Sequence, residues 1–243
     1  MSQFTHHVMV DSERIGLYAR LAACQPPVPG VVVIQHASGV DEFTRTMVDR
    51  LADAGYAAAA PDLYHRLSKQ RPPLEMMKLL RDVEVIADVN AVIDWLGIQA
   101  GVAAARLGII GFCMGGRVSY LMAAANLRFK AAVAYYGAGI MRPWGDEMPS
   151  PFARTAEIGC PLLFHFGADD SNPSPEAMRA LDDELTRCGK PHEFYTYPGA
   201  GHAFMNFTSV DRFRAVASQL SWSRTLAFLA HHLGKPATAE ISP

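Results

Sequence analysis

The chain has 243 residues, of which 50% are hydrophobic and 19% are charged, so it can bury one large core. A net charge of −2 provides no basic surface for nucleic acid. Met1–His7 lacks the features of a signal peptide, and no unbroken run of 18 or more apolar residues predicts a membrane span. We therefore expect a cytoplasmic protein that acts on a small molecule, and the oligomeric state stays open.

Short β-compatible segments alternate with helical ones in the order expected for a layered α/β protein. The predicted strands are Val8–Val10, Gly16–Ala19, Val31–Ile34, Ala57–Ala60, Leu107–Ile110, Ala132–Tyr135, Leu162–His165 and Glu193–Thr196. The predicted helices are Phe43–Ala54, Leu74–Gly97, Met114–Asn126, Pro175–Cys188 and Asp211–Leu233. Several later strands are continuously apolar, which is typical of parallel strands covered on both faces. The pattern predicts a doubly wound α/β architecture with a mostly parallel sheet of about eight strands.

Glycine and proline residues mark the ends of these elements and the loops between them. Gly55, Gly97 and Gly189 are placed as helix stops, and a proline-containing segment at 141–158 is the longest predicted irregular loop. We assign residues 1–234 to one domain and residues 235–243 to a flexible C-terminal tail.

Cys113 occupies the centre of a Gly-x-Cys-x-Gly sequence, residues 111–115, between a predicted strand and a predicted helix. This is the context of a nucleophile elbow, in which glycines leave room for a strained turn. A helix N-terminus also favours a thiolate. A buried, inert cysteine is the alternative. Cys24, Cys160 and Cys188 form no CxxC pair, which argues against a zinc site or a disulfide framework.

An acid and a histidine follow Cys113 in the order that α/β-hydrolases use. The strand at 162–165 leads into Asp169 and Asp170, at the sheet edge where open α/β folds bind ligands. His202 follows the last strand within the glycine-flanked segment 199–204. A base must hold and recycle the proton of the thiol, and an acid must orient that base. Either aspartate could be this acid, and a turn residue is the alternative for each; the Gly-x-x-Asp pattern of similar hydrolases favours Asp170.

Together these residues resemble the dienelactone hydrolase family of the α/β-hydrolase superfamily, carboxymethylenebutenolidases that cleave a cyclic enol ester. The resemblance covers roughly residues 31–233. It rests on Gly39-Val40, Gly55-Tyr56, Pro61-Asp62-Leu63-Tyr64, Gly111-Phe112-Cys113-Met114-Gly115-Gly116, Tyr135-Tyr136-Gly137, Phe164-His165-Phe166-Gly167 with Asp170, and Gly201-His202-Ala203-Phe204. It implies an α/β-hydrolase fold and a carboxylic ester hydrolase that uses no cofactor and no metal, with Cys113, His202 and Asp170 as a triad that forms an acyl-enzyme.

The resemblance also implies further site residues. The amides of Ala37 and Met114 correspond to the oxyanion donors of the superfamily. His36 stands where the family has a glutamate, and it could stabilise the thiolate, donate a hydrogen bond or simply line the pocket. Asn206 replaces a family arginine, and no other arginine clearly aligns, which argues against dienelactone itself as the substrate. Aromatic side chains are expected to line an acyl pocket or to pack near it: Phe43, Tyr64, Tyr136, Trp144, Phe204 and Phe207.

Three other functions are compatible with this sequence. The same thiolate could attack thioesters or, promiscuously, phosphotriesters. A second possibility is a non-catalytic sensor that keeps the fold and the pocket, although a receptor has no need for all three triad residues. A redox role for Cys113 is disfavoured because no resolving cysteine lies nearby in the sequence.

Overall fold

One eight-stranded sheet organises the protein. The computed structural model describes residues 4–21, 27–68 and 70–234, so Cys24 and the predicted tail at 235–243 lie outside the described residues. The strands are β1 His6–Val10, β2 Glu13–Arg20, β3 Val28–Ile34, β4 Ala57–Pro61, β5 Val102–Phe112, β6 Phe129–Tyr135, β7 Leu162–Gly167 and β8 His192–Tyr197. Each of the eight predicted strands is present, with its ends extended by a few residues.

The sheet has the strand order β1-β2-β4-β3-β5-β6-β7-β8. The pairs β1–β2 and β2–β4 are antiparallel, and every pair from β4 through β3 to β8 is parallel. The predicted, mostly parallel α/β sheet is therefore confirmed. Because the parallel strands share one direction, the loops that follow β3, β5, β6, β7 and β8 meet at one edge of the sheet.

Within residues 4–21, 27–68 and 70–234, six α-helices cover the two faces of the sheet. They are α1 Glu42–Asp53, α2 Pro73–Met77, α3 Asp82–Gly97, α4 Met114–Ala125, α5 Pro175–Arg187 and α6 Ala215–Leu233. Buried side chains of α1 and α6 pack on one face, and those of α3, α4 and α5 pack on the other. Among the described residues, no helix is both long enough and apolar enough to cross a bilayer.

The single long helix predicted at Leu74–Gly97 is wrong, because the chain leaves the helix after Met77 and re-enters it at Asp82. The backbone N–H of Asp82 donates to the carbonyl of Trp144 at 2.8 Å, so it is unavailable to a helix that continues from residue 78. The Asp82 side chain is fully buried. A tertiary contact thus overrides a helix-compatible local sequence. Gly97 is the last residue of α3 and not its stop, since Ile98 is the C-cap.

The last helix also starts later than predicted, at Ala215 and not at Asp211. Arg214 is extended, and its N–H donates to the Phe204 carbonyl at 3.0 Å. The preceding amides of Arg212 and Phe213 turn back to Ser209. The segment before α6 is therefore a folded loop that lies near His202, and the predicted loop at 141–158 likewise contains a short 3-10 helix at Phe152–Glu157.

Candidate active site

Cys113 lies in the sharp turn that joins β5 to α4. Its φ of +57° and ψ of −118° are strained for a residue with a side chain. A Cβ on Gly111 would overlap the Gly115 carbonyl, and a Cβ on Gly115 would lie 2.5 Å from the Ile34 carbonyl oxygen. The two glycines are therefore required by close backbone contacts, and the predicted elbow geometry is present. The Cys113 side chain is partly exposed at the end of the sheet.

Asp170 and His202 meet at the same edge of the sheet. Asp170 follows β7 and is 4% exposed, while the neighbouring Asp169 is exposed. One carboxylate oxygen of Asp170 lies 3.0 Å from Nδ1 of His202, and the other accepts the Asn172 backbone N–H at 2.8 Å. Because a carboxylate only accepts hydrogen bonds, Nδ1 carries the proton and Nε2 is free for another partner. Asp170 is thus the aspartate that the fold pairs with His202.

The other side of the His202 ring faces Cys113. Burial alone lowers the pKa of His202, but hydrogen bonds to Asp170 and Cys113, together with the charges of both, raise this pKa to about 9. The ring also packs edge-on against Tyr136, with centroids 5.1 Å apart. The structure therefore brings the three predicted triad side chains into one connected line, Cys113–His202–Asp170. Their catalytic role stays a prediction.

The two predicted oxyanion donors flank Cys113. Met114 is the first residue of α4, and Ala37 lies in a tight turn after β3 that is closed by a hydrogen bond from Gly39 N–H to the His36 carbonyl at 3.0 Å. Across the described part of the chain, neither the Ala37 amide nor the Met114 amide has a hydrogen-bond acceptor. Both N–H groups are consequently available to a ligand.

His36 borders the same cavity and is held by an acid of its own. Its Nε2 lies 2.8 Å from Asp41 Oδ2, and Asp41 also caps α1 by accepting the Thr44 N–H at 3.0 Å. Burial alone would raise the pKa of Asp41, but the hydrogen bond and charge of His36, helped by Thr44, lower it. Asp41 therefore accepts the Nε2 proton and fixes the orientation of the His36 ring.

A cavity of about 1130 Å³ opens in front of Cys113 and His202. This exceeds the range of roughly 300–1,000 Å³ that is usual for small-molecule sites. Besides the residues already placed, Tyr136 and Asn206 line it as predicted. Its remaining walls are mostly apolar and come from α2 and from the loop after β6: Pro72, Pro73, Leu74, Met77, Met141 and Trp144. The Asn206 side-chain oxygen accepts the backbone and hydroxyl protons of Thr208 at 3.0 and 2.7 Å, so that end of the amide is already engaged.

Of the six aromatic side chains expected at the pocket, Tyr136 and Trp144 line the cavity, and four do not: Phe43, Tyr64, Phe204 and Phe207. Phe204 is fully buried and packs against Tyr135, Tyr136 and Tyr197. Tyr64 is 3% exposed and contacts the site through its hydroxyl group alone. Phe43, on α1, is also fully buried and contacts the rings of Phe112 and Phe207. These rings pack against other buried side chains, which removes them from the cavity surface.

Two arginines that the sequence did not single out line the cavity. Arg142 lies in the loop after β6, and Arg212 lies in the loop before α6. Among the described residues, neither side chain has an ion-pair partner, and the cavity lining includes no carboxylate. For Arg142 the sequence offered only its position after a predicted parallel strand, because the loops that follow such strands lie at the ligand-binding edge of the sheet.

A fully buried ion pair supports the wall that carries Arg142. Arg117, in the first turn of α4, donates to both carboxylate oxygens of Asp82 at 2.6 and 2.9 Å. The same guanidinium donates to the carbonyls of Gly139 at 3.2 Å and Arg142 at 2.6 Å, and it stacks on Trp144. The helix that starts at Cys113 therefore also fixes the loop opposite it.

The other described cysteines lack this environment. Cys160 is buried, and burial raises the pKa of its thiol to about 12. Cys188 is half-buried at the C-cap of α5, where it contacts Glu184 and Arg187. Neither thiol lines the cavity.

The sheet topology and the strand-to-helix turn at Cys113 are those of an α/β-hydrolase fold. The model of the dienelactone hydrolase family matches residues 17–233. A "Putative carboxymethylenebutenolidase" of Salmonella typhimurium is 33% identical over 225 residues, which cover 90% of this chain and 83% of that protein. A "Probable 2-oxo-3-(5-oxofuran-2-ylidene)propanoate lactonase" of Bradyrhizobium is 32% identical and covers 88% and 90% of the two chains.

A solved structure agrees with these sequence matches. The crystal structure of a "Putative Dienelactone Hydrolase" from Klebsiella pneumoniae superposes with a TM-score of 0.81 at 32% identity, covering 93% of this chain and 97% of that one. The chain therefore belongs to the dienelactone hydrolase family, and the predicted family and fold are confirmed. Membership of this family also confirms the prediction that the protein is a hydrolase.

Proposed function

We propose that this protein hydrolyses a carboxylic ester or a lactone through a covalent acyl-enzyme on Cys113. The observation that carries the proposal is the position of His202. Its ring is held by Asp170 on one side, at 3.0 Å, and it lines the same cavity as Cys113, whose proximity contributes to the raised His202 pKa. A partly exposed sulfur that faces an oriented imidazole at the rim of a cavity is the arrangement that nucleophilic acyl transfer needs.

The residues support a complete reaction. With the Cys113 proton on His202, the thiolate attacks the carbonyl carbon, a C–S bond forms, and the negative oxygen accepts the N–H groups of Ala37 and Met114. The intermediate collapses as the C–O bond breaks, and the imidazolium gives its proton to the departing alkoxide. His202 then takes a proton from water as the water attacks the thioester, and the thiolate leaves with the acid product released. Asp170 orients the ring and stabilises its charged form in both halves.

The cavity supports a substrate with a sizeable apolar body and an anionic group. Its walls are rich in Leu, Met, Pro and Trp side chains, and Arg142 and Arg212 add two positive charges without an opposing carboxylate in the lining. Arginine recognises carboxylate and phosphate groups well. Arg142 and Arg212 therefore supply the positive charge that Asn206, standing in place of the family arginine, does not carry.

The test is hydrolysis of p-nitrophenyl acetate by the wild-type protein, Cys113→Ala and Cys188→Ala. We expect Cys113→Ala to lose at least about a thousandfold in turnover, since removal of a covalent nucleophile leaves only binding and oxyanion contributions. Cys188→Ala is the matched control, because it deletes a half-buried thiol outside the cavity, and it should keep full turnover.

Mass spectrometry of protein quenched during turnover should show an acyl group on Cys113. Undiminished hydrolysis by Cys113→Ala would reject the mechanism. Comparison with a thioester and a phosphotriester then distinguishes the ester preference from the altered-acceptor alternatives. Tight ligand binding without turnover or adduct would favour a sensor.

A further inference from the structure

Tyr64 contacts both residues whose amides are the proposed oxyanion donors. Its hydroxyl donates to the Ala37 carbonyl at 2.9 Å and also contacts Met114 Sδ at 3.2 Å. Ala37 lies 27 residues before Tyr64, and Met114 lies 50 residues after it. One buried oxygen atom thus joins the turn after β3 to the first residue of α4.

The hydroxyl is itself held in place. The Tyr64 backbone N–H donates to Asp62 Oδ1 at 3.1 Å, and the N–H of the adjacent Leu63 donates to Gln35 Oε1 at 3.2 Å. Tyr64 is 3% exposed, so its ring has little freedom to move. Burial, and next the nearby Cys113, raise the pKa of Tyr64 well above its usual range, so the hydroxyl stays protonated and keeps its donor function.

The contact with Ala37 anchors a residue that carries a proposed backbone donor. The turn from His36 to Gly39 contains three peptide groups, and in a trans peptide the N–H points opposite to the C=O. The His36 carbonyl accepts the Gly39 N–H, which directs the Ala37 N–H away from the turn. The next carbonyl, that of Ala37, is fixed only by Tyr64 among the described residues. Without that bond the Ala37–Ser38 peptide is free to rotate, and the Ala37 Cα, which joins it to the peptide that carries the Ala37 N–H, is free to shift.

We propose that Tyr64 is a positioning residue for the oxyanion site, because its hydroxyl keeps the Ala37 and Met114 amides at the mutual distance that the transition state needs. This inference rests on the proposed function. Tyr64 lies behind the cavity wall, so it acts through these two amides and not by touching the substrate. Misplacement of a preorganised donor by a fraction of an ångström is enough to reduce catalysis strongly.

The test compares Tyr64→Phe with Tyr120→Phe. Tyr120 is a matched control because it is a fully buried tyrosine on α4 that loses one hydrogen bond, to Thr155 at 2.6 Å, and does not line the cavity. We expect Tyr64→Phe to lower kcat on p-nitrophenyl acetate roughly ten- to a hundredfold with little change in KM. Tyr120→Phe should stay within about threefold of the wild type, since it touches no group of the site.

Two further measurements separate positioning from a structural role. Affinity for a trifluoromethyl ketone, which forms a tetrahedral adduct with Cys113, should fall in parallel with kcat. The rate at which iodoacetamide alkylates Cys113 should stay unchanged, because that substitution develops no oxyanion. Replacement of Tyr64 by 4-aminophenylalanine keeps an N–H donor at the same place and should retain turnover within about threefold.

Equal kcat values for Tyr64→Phe and Tyr120→Phe would overturn the inference. So would a loss of alkylation rate as large as the loss of turnover, or a 4-aminophenylalanine variant as slow as the phenylalanine one. Failure of the proposed function looks different: the wild type would then be inactive, or Cys113→Ala would be as active as the wild type, which would overturn both proposals.

Discussion

The buried ion pair between Arg117 and Asp82 leads to a quantitative prediction. Both side chains are completely inaccessible, and Asp82 accepts three hydrogen bonds: from Arg117 at 2.6 and 2.9 Å, and from the Trp144 backbone N–H at 2.9 Å. The substitution Asp82→Asn keeps the shape of the side chain but removes its charge. It leaves a buried guanidinium without a counter-charge, and its acceptors are then neutral: the Gly139 and Arg142 carbonyls and the one remaining side-chain oxygen at position 82.

Removing one partner of a buried pair costs about 3–5 kcal/mol, because the remaining charge is uncompensated. A domain of this kind has a free energy of unfolding of about 5–15 kcal/mol, so the variant should fold but unfold at clearly lower urea concentration. The double variant Arg117→Met/Asp82→Leu removes both charges. Its loss of unfolding free energy should be smaller than the sum of the losses in the single variants Arg117→Met and Asp82→Leu. We expect a coupling free energy of at least about 2 kcal/mol in this cycle.

Urea unfolding at 25 °C, followed by far-UV circular dichroism, measures these differences. Asp94→Asn is the control, since Asp94 is on the same helix and pairs with Arg128 at the surface, where 73% of its side chain is exposed. This substitution should change the free energy of unfolding by less than about 0.5 kcal/mol. Because Arg117 also holds the cavity wall, Asp82→Asn should raise KM for a bulky ester more than for p-nitrophenyl acetate. A loss below about 1 kcal/mol for Asp82→Asn, or strict additivity in the double variant, would refute the reasoning.

Two further predictions concern pH and substrate charge. The pKa of His202 is raised from 6.5 to about 9, so its protonation stabilises the folded state fully below pH 6.5 and this stabilisation, roughly 3 kcal/mol, is lost as the pH rises through 9. The imidazolium that is needed to protonate the leaving group is lost in the same pH range. Asp170→Asn should therefore move the alkaline decline of kcat/KM to lower pH. An unmoved decline would contradict Asp170 as the partner of His202. Replacing Arg142 and Arg212 by Gln should raise KM for an ester carrying a carboxylate by about tenfold, with little effect on its neutral analogue, and equal changes for both esters would show that the arginines do not select charge.

The sheet and the order of the predicted triad could be predicted from the sequence for a physical reason. Strands of a parallel sheet that are covered on both faces are almost continuously apolar, as β3 and β4 are. The turn at Cys113 needs glycine on both sides, so it leaves a recognisable spacing. Local rules of this kind act within a few residues and are visible in one chain.

The walls of the cavity depend on contacts between distant segments, and no local pattern reveals them. The break before Asp82 exists because a residue 35 positions away, Arg117, supplies its counter-charge. Tyr64 was expected to line the pocket because it is aromatic and near the site, yet it reaches the site only through a hydroxyl hydrogen bond to Ala37 behind the wall. Arg142 and Arg212 belong to loops whose paths the sequence did not determine.

The first turn of α4 connects the proposed nucleophile, the proposed oxyanion site and the cavity wall in one rigid unit. Successive helical residues point in different directions, so Cys113 faces His202, Met114 contacts Tyr64, and Arg117 reaches Asp82 and the wall loop. This turn rests directly on backbone atoms, because a Cβ on Gly116 would lie 2.8 Å from both the Gly137 Cα and the Tyr135 carbonyl oxygen. Since nothing compressible separates the helix from the sheet there, a shift of α4 would displace all three parts of the proposed site together. The second glycine after Met114 is therefore as necessary to the site as the side chains that line it.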